Sequence, residues 1–290
     1  MKESWKHEFV NADGLRMHYV TQGSGKLVLL LHGFPDFWGV WRFQIPELAK
    51  HFRVVAPDLR GYNKTDKPGG VENYRLNLLA GDILGLINAL GETRAVVVGH
   101  DWGGVVAWSF AAFNPEYIEK LVILNAPHPN AYTSRAKLSL RQLQKSWYVF
   151  FFQTPDVPEE VLSRNDYSFL KNMVKLAFAK KEALTDEDLR LRAKAWSQPG
   201  ALTAMMNYYR ANMNPYILFS ERKIAFPKIT SPTYVLWGER DVALSRSLIE
   251  NTEDFVDASY SIRYIPDCGH WVQLEQPKLV NGYMSEFLRN

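Results

Sequence analysis

The chain has 290 residues, of which 47% are hydrophobic and 22% are charged, so it can bury a large core. Its formal net charge is only +3 and no block of five like charges occurs, which argues against binding to nucleic acid or an anionic membrane. Cys268 is the single cysteine, which excludes an intramolecular disulfide and fits a reducing compartment. Since no run reaches about 18 apolar residues, we expect a cytoplasmic protein without a membrane span.

The first half of the chain alternates between predicted strands and predicted helices. Apolar residues at helical spacing predict a helix over Tyr74–Leu90, and another is expected between Val98 and Asn114. The predicted strands are Phe9–Val10, Leu15–Val20, Leu27–Leu31, Phe52–Ala56, Ala95–Val98 and Leu121–Leu124, and an Asp13-Gly14 turn joins the first two. This alternation predicts a mainly parallel sheet with helices on both faces.

The strand pattern stops in the middle of the chain. From about Pro129 to Ile224 the residues follow helical periods, and strand patterns resume at Thr233–Trp237 and Ser261–Ile265 before a terminal helix over Pro277–Leu288. We therefore predict a core made of residues 1–128 and 225–290, with a helical lid of residues 129–224 inserted in it. A separate linked domain is less favoured because no Gly/Ser linker borders the segment.

The strand Ala95–Val98 leads directly into Gly99-His100-Asp101-Trp102-Gly103-Gly104. Small residues around a central nucleophile are typical of a tight strand-to-helix elbow, so Asp101 is the predicted nucleophile. The alternative is a plain turn in which Asp101 caps the helix. A carboxylate nucleophile attacks an sp³ carbon and forms an alkyl-enzyme ester. The residue type therefore narrows the chemistry to epoxides or carbon–halogen bonds.

The partners of this nucleophile are expected after later strands, in the order acid and then histidine. Asp241 follows the strand Thr233–Trp237 and is the predicted acid, with Glu239 as its rival. His270 follows the last strand and is the predicted water-activating base.

A third signal follows the strand Leu27–Leu31, where His32-Gly33-Phe34-Pro35 occurs. The backbone N–H groups of Phe34 and Trp102 are predicted to form an oxyanion hole. The Phe34–Pro35 bond is a candidate cis peptide, because cis bonds are essentially confined to X-Pro.

Five core segments and two lid segments together resemble a known family. They are HGFPDFWGVWR (32–42), APDLRGYNKTDKP (56–68), GHDWGGVVAW (99–108), WGERD (237–241), CGHW (268–271), WYVFFFQTP (147–155) and NYYR (207–210). Over nearly its whole length the chain resembles the α/β-hydrolase-fold epoxide hydrolases. The resemblance implies an α/β-hydrolase fold and opening of an epoxide by water. It also implies that Tyr148 and Tyr209 donate hydrogen bonds to the epoxide oxygen, and Tyr208 is the rival of Tyr209.

The remaining expectations concern the substrate and its pocket. Trp38, Phe150 and Met205, with Trp41 and Trp102, are predicted to line an apolar pocket, although packing explains them equally well. His100 is expected to hold the elbow, and Cys268 to be a buried, inert thiol. We expect a small, neutral, lipophilic epoxide and water as substrates, no cofactor, no metal, and a monomer or homodimer.

Three rival functions stay open on the sequence. Haloalkane dehalogenases resemble the chain at the Asp-Trp-Gly elbow but tend to have His-Gly-Asn-Pro and lack the tyrosine pair. Fluoroacetate dehalogenases carry an arginine where this chain has Trp102, and a His-Trp pair where it has Tyr148-Val149. A non-catalytic ligand-binding protein on the same scaffold is the third.

Overall fold

A computed structural model describes residues 5–131, 139–219 and 225–289, and within these ranges it contains one eight-stranded sheet. The strand order is β1-β2-β4-β3-β5-β6-β7-β8. β1 and β4 both pair antiparallel with β2, and all other neighbours are parallel. The strands are β1 Lys6–Ala12, β2 Leu15–Gln22, β3 Leu27–Leu31, β4 Arg53–Pro57, β5 Ala95–His100, β6 Ile118–Leu124, β7 Thr233–Gly238 and β8 Tyr260–Ile265.

The central strands are buried along their whole length. Every residue of β3, β5 and β7 is buried, which is the pattern of parallel strands covered on both faces. β1 lies at the sheet edge and is mostly exposed. Asp13 (φ 50°) and Gly14 (φ 87°) form the tight turn between β1 and β2, as the hairpin signal predicts.

Five helices belong to the two core segments in the described ranges. They are α1 Ile45–Leu48, α2 Leu76–Ala89, α3 Trp102–Phe113, α10 Val272–Glu275 and α11 Pro277–Arg289. α2 and α3 pack against each other, and α3 also contacts β5 and β6. α1 packs on β4 and contacts α11, which in turn contacts α10. The mainly parallel sheet with covering helices that the sequence predicts is therefore present.

Between β6 and β7 the described residues form helices and no strand. They are α4 Leu140–Lys145, α5 Trp147–Phe151, α6 Val157–Ala177, α7 Asp186–Trp196, α8 Ala201–Asn212 and α9 Pro215–Phe219. α6 is interrupted at Asn165, Asp166 and Tyr167, which have φ of 49°, 55° and 59°. The division at residues 129 and 224 stays a prediction. Residues 1–4, 132–138, 220–224 and 290 of the predicted units lie outside the described residues.

Local sequence signals predict where most helices and strands begin and end. α7 begins at a capping box in which Thr185 and Asp188 exchange side-chain and backbone hydrogen bonds. α2 ends before Gly91, which has the left-handed φ of 75° that favours glycine at this position. The predicted start at Tyr74 is early, because residues 71–74 form a 3₁₀ turn. Further 3₁₀ turns are Trp38–Trp41, Pro115–Tyr117, Lys181–Ala183, Arg246–Leu248 and Thr252–Phe255.

Across the three described ranges, no helix is both long and apolar enough to cross a bilayer.

Candidate active site

Asp101 stands at the turn between β5 and α3, at the carboxyl edge of the sheet. Its backbone has φ 52° and ψ −123°, a region that non-glycine residues rarely occupy. The turn is tight because a Cβ on Gly103 would lie 2.2 Å from the carbonyl oxygen of Leu31. The elbow expected from the glycine spacing is therefore formed.

The two oxygens of the Asp101 carboxylate have different partners. Oδ1 accepts a 2.7 Å hydrogen bond from the Phe34 N–H, and the backbone N–H of Trp102 helps to lower the pKa of the carboxyl. Oδ2 lies 3.4 Å from Nε2 of His270. A Cβ on Gly33 would lie only 2.3 Å from Oδ1, so the carboxylate can sit in this place because residue 33 is glycine. The Phe34–Pro35 bond is cis, as predicted.

Asp241 holds the far side of the His270 ring. Its Oδ2 is 2.7 Å from Nδ1 of His270 and accepts a second 2.7 Å hydrogen bond from the Asn125 side chain. Its Oδ1 accepts backbone hydrogen bonds from Ala243 and Leu244 at 2.8 and 2.9 Å. The carboxylate is therefore buried but fully hydrogen-bonded.

Glu239, the rival acid, points elsewhere. It forms an ion pair with Arg246 at 2.8 Å on the protein surface. Of the two acids that the sequence leaves open, only Asp241 contacts the His270 ring.

His270 lies between the two carboxylates, and this position sets its charge. Burial alone would lower the pKa of the imidazole, but the charges and hydrogen bonds of Asp241 and Asp101 raise it to about 10. Burial alone would raise the pKa of Asp101 and of Asp241, but in both cases the interactions with His270 outweigh it and hold the pKa below its usual value. These pKa shifts favour an imidazolium between two ionised carboxylates at neutral pH.

His100 and Cys268 are two further titratable residues beside the predicted triad. Burial lowers the pKa of His100 to about 4, and its Nε2–H donates a 2.9 Å hydrogen bond to the carbonyl oxygen of His270. This contact joins the elbow to the histidine loop, as expected of a structural residue. Burial raises the pKa of the Cys268 thiol, so it stays protonated.

Tyr148 on α5 and Tyr209 on α8 face the same space as Asp101. Their ring centroids are 5.7 Å apart and the rings are nearly perpendicular, at 85°. Burial, followed by the neighbouring Tyr148 and Asp101, raises the pKa of Tyr209 well above its ordinary value, so its phenol stays protonated. The Trp102 ring packs edge-on against the Tyr209 ring at a centroid distance of 5.1 Å, and Trp102 lowers the pKa of Tyr209 only slightly against these effects.

Tyr208 has a different environment although it is adjacent in the chain. Its hydroxyl donates a 2.8 Å hydrogen bond to the carbonyl oxygen of Arg60, and its ring packs on Tyr62 and Tyr74. It lines neither of the cavities that reach Asp101. The tyrosine pair at the site is therefore Tyr148 and Tyr209.

Two cavities meet at Asp101, Tyr148 and Tyr209, which line both of them. The narrow cavity has a volume of about 100 Å³, and the wide cavity about 620 Å³. Apolar residues of the narrow cavity include Leu76, Val105, Met213, Leu218 and Leu244. The wide cavity is lined by His270, Trp271 and Phe34 near the nucleophile, and farther out by Arg141, Lys145, Trp147, Met173, Leu176 and Val242.

This fold and site match known proteins over most of the chain. The sequence profile of the alpha/beta hydrolase fold family matches residues 26–277. The chain is 42% identical over 288 residues to AB hydrolase superfamily protein YfhM of Bacillus subtilis (strain 168), covering 98% of each. It is 41% identical over 286 residues to Epoxide hydrolase 4 of Homo sapiens, covering 97% of this chain and 77% of that protein.

The similarity extends to solved structures. A crystal structure of Bacillus megaterium epoxide hydrolase in complex with an inhibitor superposes with a TM-score of 0.90 at 33% identity, covering 98% of this chain and 100% of that chain. The chain belongs to the α/β-hydrolase-fold epoxide hydrolase family.

Three residues that were predicted to line the substrate pocket of this epoxide hydrolase family member do not do so. Trp38, Phe150 and Met205 line neither cavity. Trp38 packs edge-on against Trp5 and His7, and Met205 is buried in the core. Phe150 is partly buried and packs against the core. Trp41, also considered for the pocket, is fully buried in the core. Their aromatic or apolar character predicts burial, but it does not determine which space they face.

Two residues that orient the site were not predicted from the sequence. Asn125 follows β6 and bridges Asp241 to the Gly238 N–H, so its position after a strand was an available signal. Glu275 accepts backbone hydrogen bonds from Gly269 at 3.1 Å and from Ala179 and Lys180 at 3.0 and 2.9 Å. It therefore ties the residue before His270 to the lid, through a contact that spans 95 residues in the chain.

Helix α7 also holds the loop of residues 32–36. Arg192 on α7 and the indole of Trp271 bind opposite oxygens of the buried Asp36, at 2.7 and 2.5 Å. Trp196 on the same helix donates a 2.6 Å hydrogen bond to the carbonyl oxygen of Pro35. The position of the Phe34 N–H therefore depends on α7.

Among the described residues no group of three or more His, Cys, Asp or Glu side chains is placed to hold a metal ion.

Proposed function

We propose that this protein hydrolyses epoxides to vicinal diols through a covalent ester on Asp101. The observation that carries the proposal is the shared space between one carboxylate and two phenols, with the His270–Asp241 pair behind the carboxylate. A nucleophile for carbon, an acid for the leaving oxygen and a base for water are the groups that this reaction needs.

The first half-reaction opens the ring. Oδ1 of Asp101 is occupied by the Phe34 N–H, so Oδ2 is the attacking atom. A bond forms between Oδ2 and an epoxide carbon while the ring C–O bond breaks. The leaving alkoxide takes a proton from Tyr148 or Tyr209, which are acidic enough to supply it and are still protonated at neutral pH. The product of this step is a hydroxyalkyl ester of Asp101.

The second half-reaction releases the diol. Alkylation removes one of the two negative charges beside His270, so the pKa of the imidazole falls. The proton that His270 held at rest then passes to the tyrosinate that ring opening leaves. Neutral His270 then takes a proton from water, and the hydroxide attacks the ester carbonyl. The developing oxyanion is Oδ1, which already accepts a hydrogen bond from the Phe34 N–H, and the Trp102 N–H would be the second donor of the oxyanion hole. The bond from Cγ to Oδ2 breaks, and the diol leaves with the original carboxylate oxygen.

Protons are conserved over this catalytic cycle. The alcohol formed by ring opening receives the proton that His270 held at rest. Hydrolysis of the ester by water then supplies one proton to the second hydroxyl of the diol and one to His270. The enzyme returns to an imidazolium between two carboxylates, so no external acid or base is consumed.

Trp102 favours epoxide opening over dehalogenation. In a dehalogenase the tryptophan after the nucleophile would bind the halide, but here the Trp102 ring packs edge-on against the Tyr209 ring, with centroids 5.1 Å apart. A halide leaves without a proton and gains nothing from two phenols. The unequal cavities further favour a lipophilic epoxide with a small group on the narrow side and a longer group on the wide side.

Product analysis with styrene oxide and a fatty-acid epoxide tests the proposal, with 1-chlorobutane as the dehalogenase control. We expect diols and no chloride release. A single turnover in H₂¹⁸O should place the label in Asp101 and leave the diol unlabelled, since the diol takes its oxygen from the carboxylate. Chloride release without diol formation would favour dehalogenation, and no product from any substrate would favour ligand binding alone.

A cytoplasmic location and a monomeric or homodimeric state stay predictions.

A further inference from the structure

The mouth of the wide cavity is surrounded by exposed apolar side chains. Trp147, Leu176 and Val242 line this cavity and are 48%, 70% and 49% exposed. Leu140 is 79% exposed and directly precedes Arg141, another residue of the cavity wall. We call Leu140, Trp147, Leu176 and Val242 the rim. Single exposed apolar residues are ordinary, but several around one opening mark an interaction surface.

The lid segments that carry most of the rim are strongly basic. Residues 139–155 and 168–181 contain no Asp or Glu, although the whole chain has 31 acidic and 34 basic residues. Their cations are Arg141, Lys145, Lys171, Lys175, Lys180 and Lys181. Arg141 and Lys175 are exposed beside the rim residues Leu140 and Leu176.

The linear sequence argues against binding to an anionic membrane, because no block of five like charges occurs in it. The cations are spaced by apolar residues, so no run of like charges is visible along the chain. The fold places two such segments around one cavity, where positive charge and apolar surface coincide.

We propose that the rim docks on an anionic lipid surface, with the wide cavity opening toward the bilayer. Exposed Leu and Trp side chains can enter the headgroup region, while Arg and Lys side chains pair with anionic headgroups. Charge complementarity selects this partner, because Arg141 and Lys175 are exposed beside the rim, whereas Lys171 is engaged by Asp166. If the proposed function holds, docking also places the cavity mouth where lipophilic epoxides dissolve, but the docking itself needs no catalysis.

Sedimentation with sucrose-loaded vesicles tests the docking without any substrate. We expect binding to vesicles of phosphatidylcholine mixed with phosphatidylglycerol, weaker binding to phosphatidylcholine alone, and loss of binding at high salt. Arg141→Glu with Lys175→Glu should weaken binding at least roughly tenfold, since each cation near an anionic surface contributes about fivefold. The matched control is Lys64→Glu with Lys278→Glu, which changes the net charge equally on the exposed surface of the core.

The apolar part of the rim has its own pair of variants. Leu140→Ser with Leu176→Ser should also weaken vesicle binding, whereas Leu78→Ser on α2, a partly exposed leucine of the core, should not. Thermal unfolding of each variant checks that the fold is kept.

Two results would overturn the docking proposal. One is the absence of vesicle binding, or rim variants that bind as well as the controls. The other is a homodimer in sedimentation equilibrium that Leu140→Ser with Leu176→Ser dissociates, which would assign the rim to a second copy. Vesicle binding by a protein that turns over no epoxide would leave the docking intact and reject only the proposed function.

Discussion

The Phe34 N–H holds Oδ1 of Asp101 at 2.7 Å and so makes the two oxygens of one carboxylate unequal. Oδ1 lies in the site where an oxyanion would develop, and Oδ2 is left toward His270 at 3.4 Å. In the proposed mechanism, the first half-reaction depends on Oδ2 and the phenols, and the second depends on Oδ1 and His270. Variants should separate the two halves.

His270→Gln should still be alkylated but should not release product, because only ester hydrolysis needs the base. We expect the steady-state rate to fall by about 10²–10⁴-fold. Intact-protein mass spectrometry should show one equivalent of substrate bound. The double variant with Asp101→Asn is the control and should bind none. Unchanged turnover in His270→Gln would contradict the assigned role.

The tyrosine pair should act in the other half-reaction. Tyr148→Phe and Tyr209→Phe should each slow ester formation, and the double variant should lose up to about 10²–10⁴-fold, since the two phenols partly replace each other. Rapid quench followed by mass spectrometry measures this step. Tyr208→Phe is the matched control, because its hydroxyl binds the Arg60 carbonyl. It should cost about 1 kcal/mol of stability and leave ester formation unchanged. A double variant that forms the ester at the wild-type rate would remove the main support for epoxide opening.

The pKa of His270 should depend on Asp101. Burial favours the neutral ring, but the two carboxylates raise the pKa to about 10 in the free protein. Asp101→Asn, which mimics the uncharged ester, should lower it. NMR of ¹⁵N-labelled histidine gives the midpoint in each protein. Equal midpoints would show that alkylation does not turn His270 into a base.

The raised pKa of His270 also predicts how the free energy of unfolding changes with pH. The folded pKa lies above the unfolded value of about 6.5, so the stabilisation is complete below that pH and is lost as the pH rises toward 10. The difference in the free energy of unfolding between wild type and His270→Gln should therefore shrink between these values. Denaturant titrations at several pH values measure it, and a difference that grows with pH would contradict this prediction.

Glu275 should affect ester hydrolysis more than ester formation, because it fixes the backbone next to His270. Glu275→Gln presents an amide N–H₂ to backbone N–H donors and should destabilise the protein by about 1–3 kcal/mol. We expect the ester to accumulate during turnover, which a general loss of stability alone would not cause. Glu116→Gln, at an exposed position, is the control. Equal slowing of both half-reactions would indicate a purely structural role.

Most of the fold could be predicted because it depends on local patterns. The apolar run Leu27–Leu31 coincides with β3, and the glycines around Asp101 mark the elbow. Asp101, Asp241 and His270 could be related to each other because each follows a strand, and strand ends of a parallel sheet share one edge.

The parts that could not be predicted depend on side-chain direction or on distant contacts. Tyr208 and Tyr209 are the same residue type at adjacent positions. Only their directions around the axis of α8 decide which side chain faces Asp101. Met205 lies on the same helix but packs into the core. Glu275 has no local signal because two of its three backbone partners lie in the lid.

The contact between Arg192 and Asp36 has a consequence for the loop of residues 32–36. Moving α7 away from the sheet would separate a buried ion pair and would pull on the loop that supplies the Phe34 N–H. α4 is also held, because Gln142 and Lys145 donate hydrogen bonds to the carbonyl oxygens of Ala243 and Asp241. The helices that cover the site are thus part of the scaffold that shapes it, and a substitution in either helix can reach the groups around Asp101 without touching them.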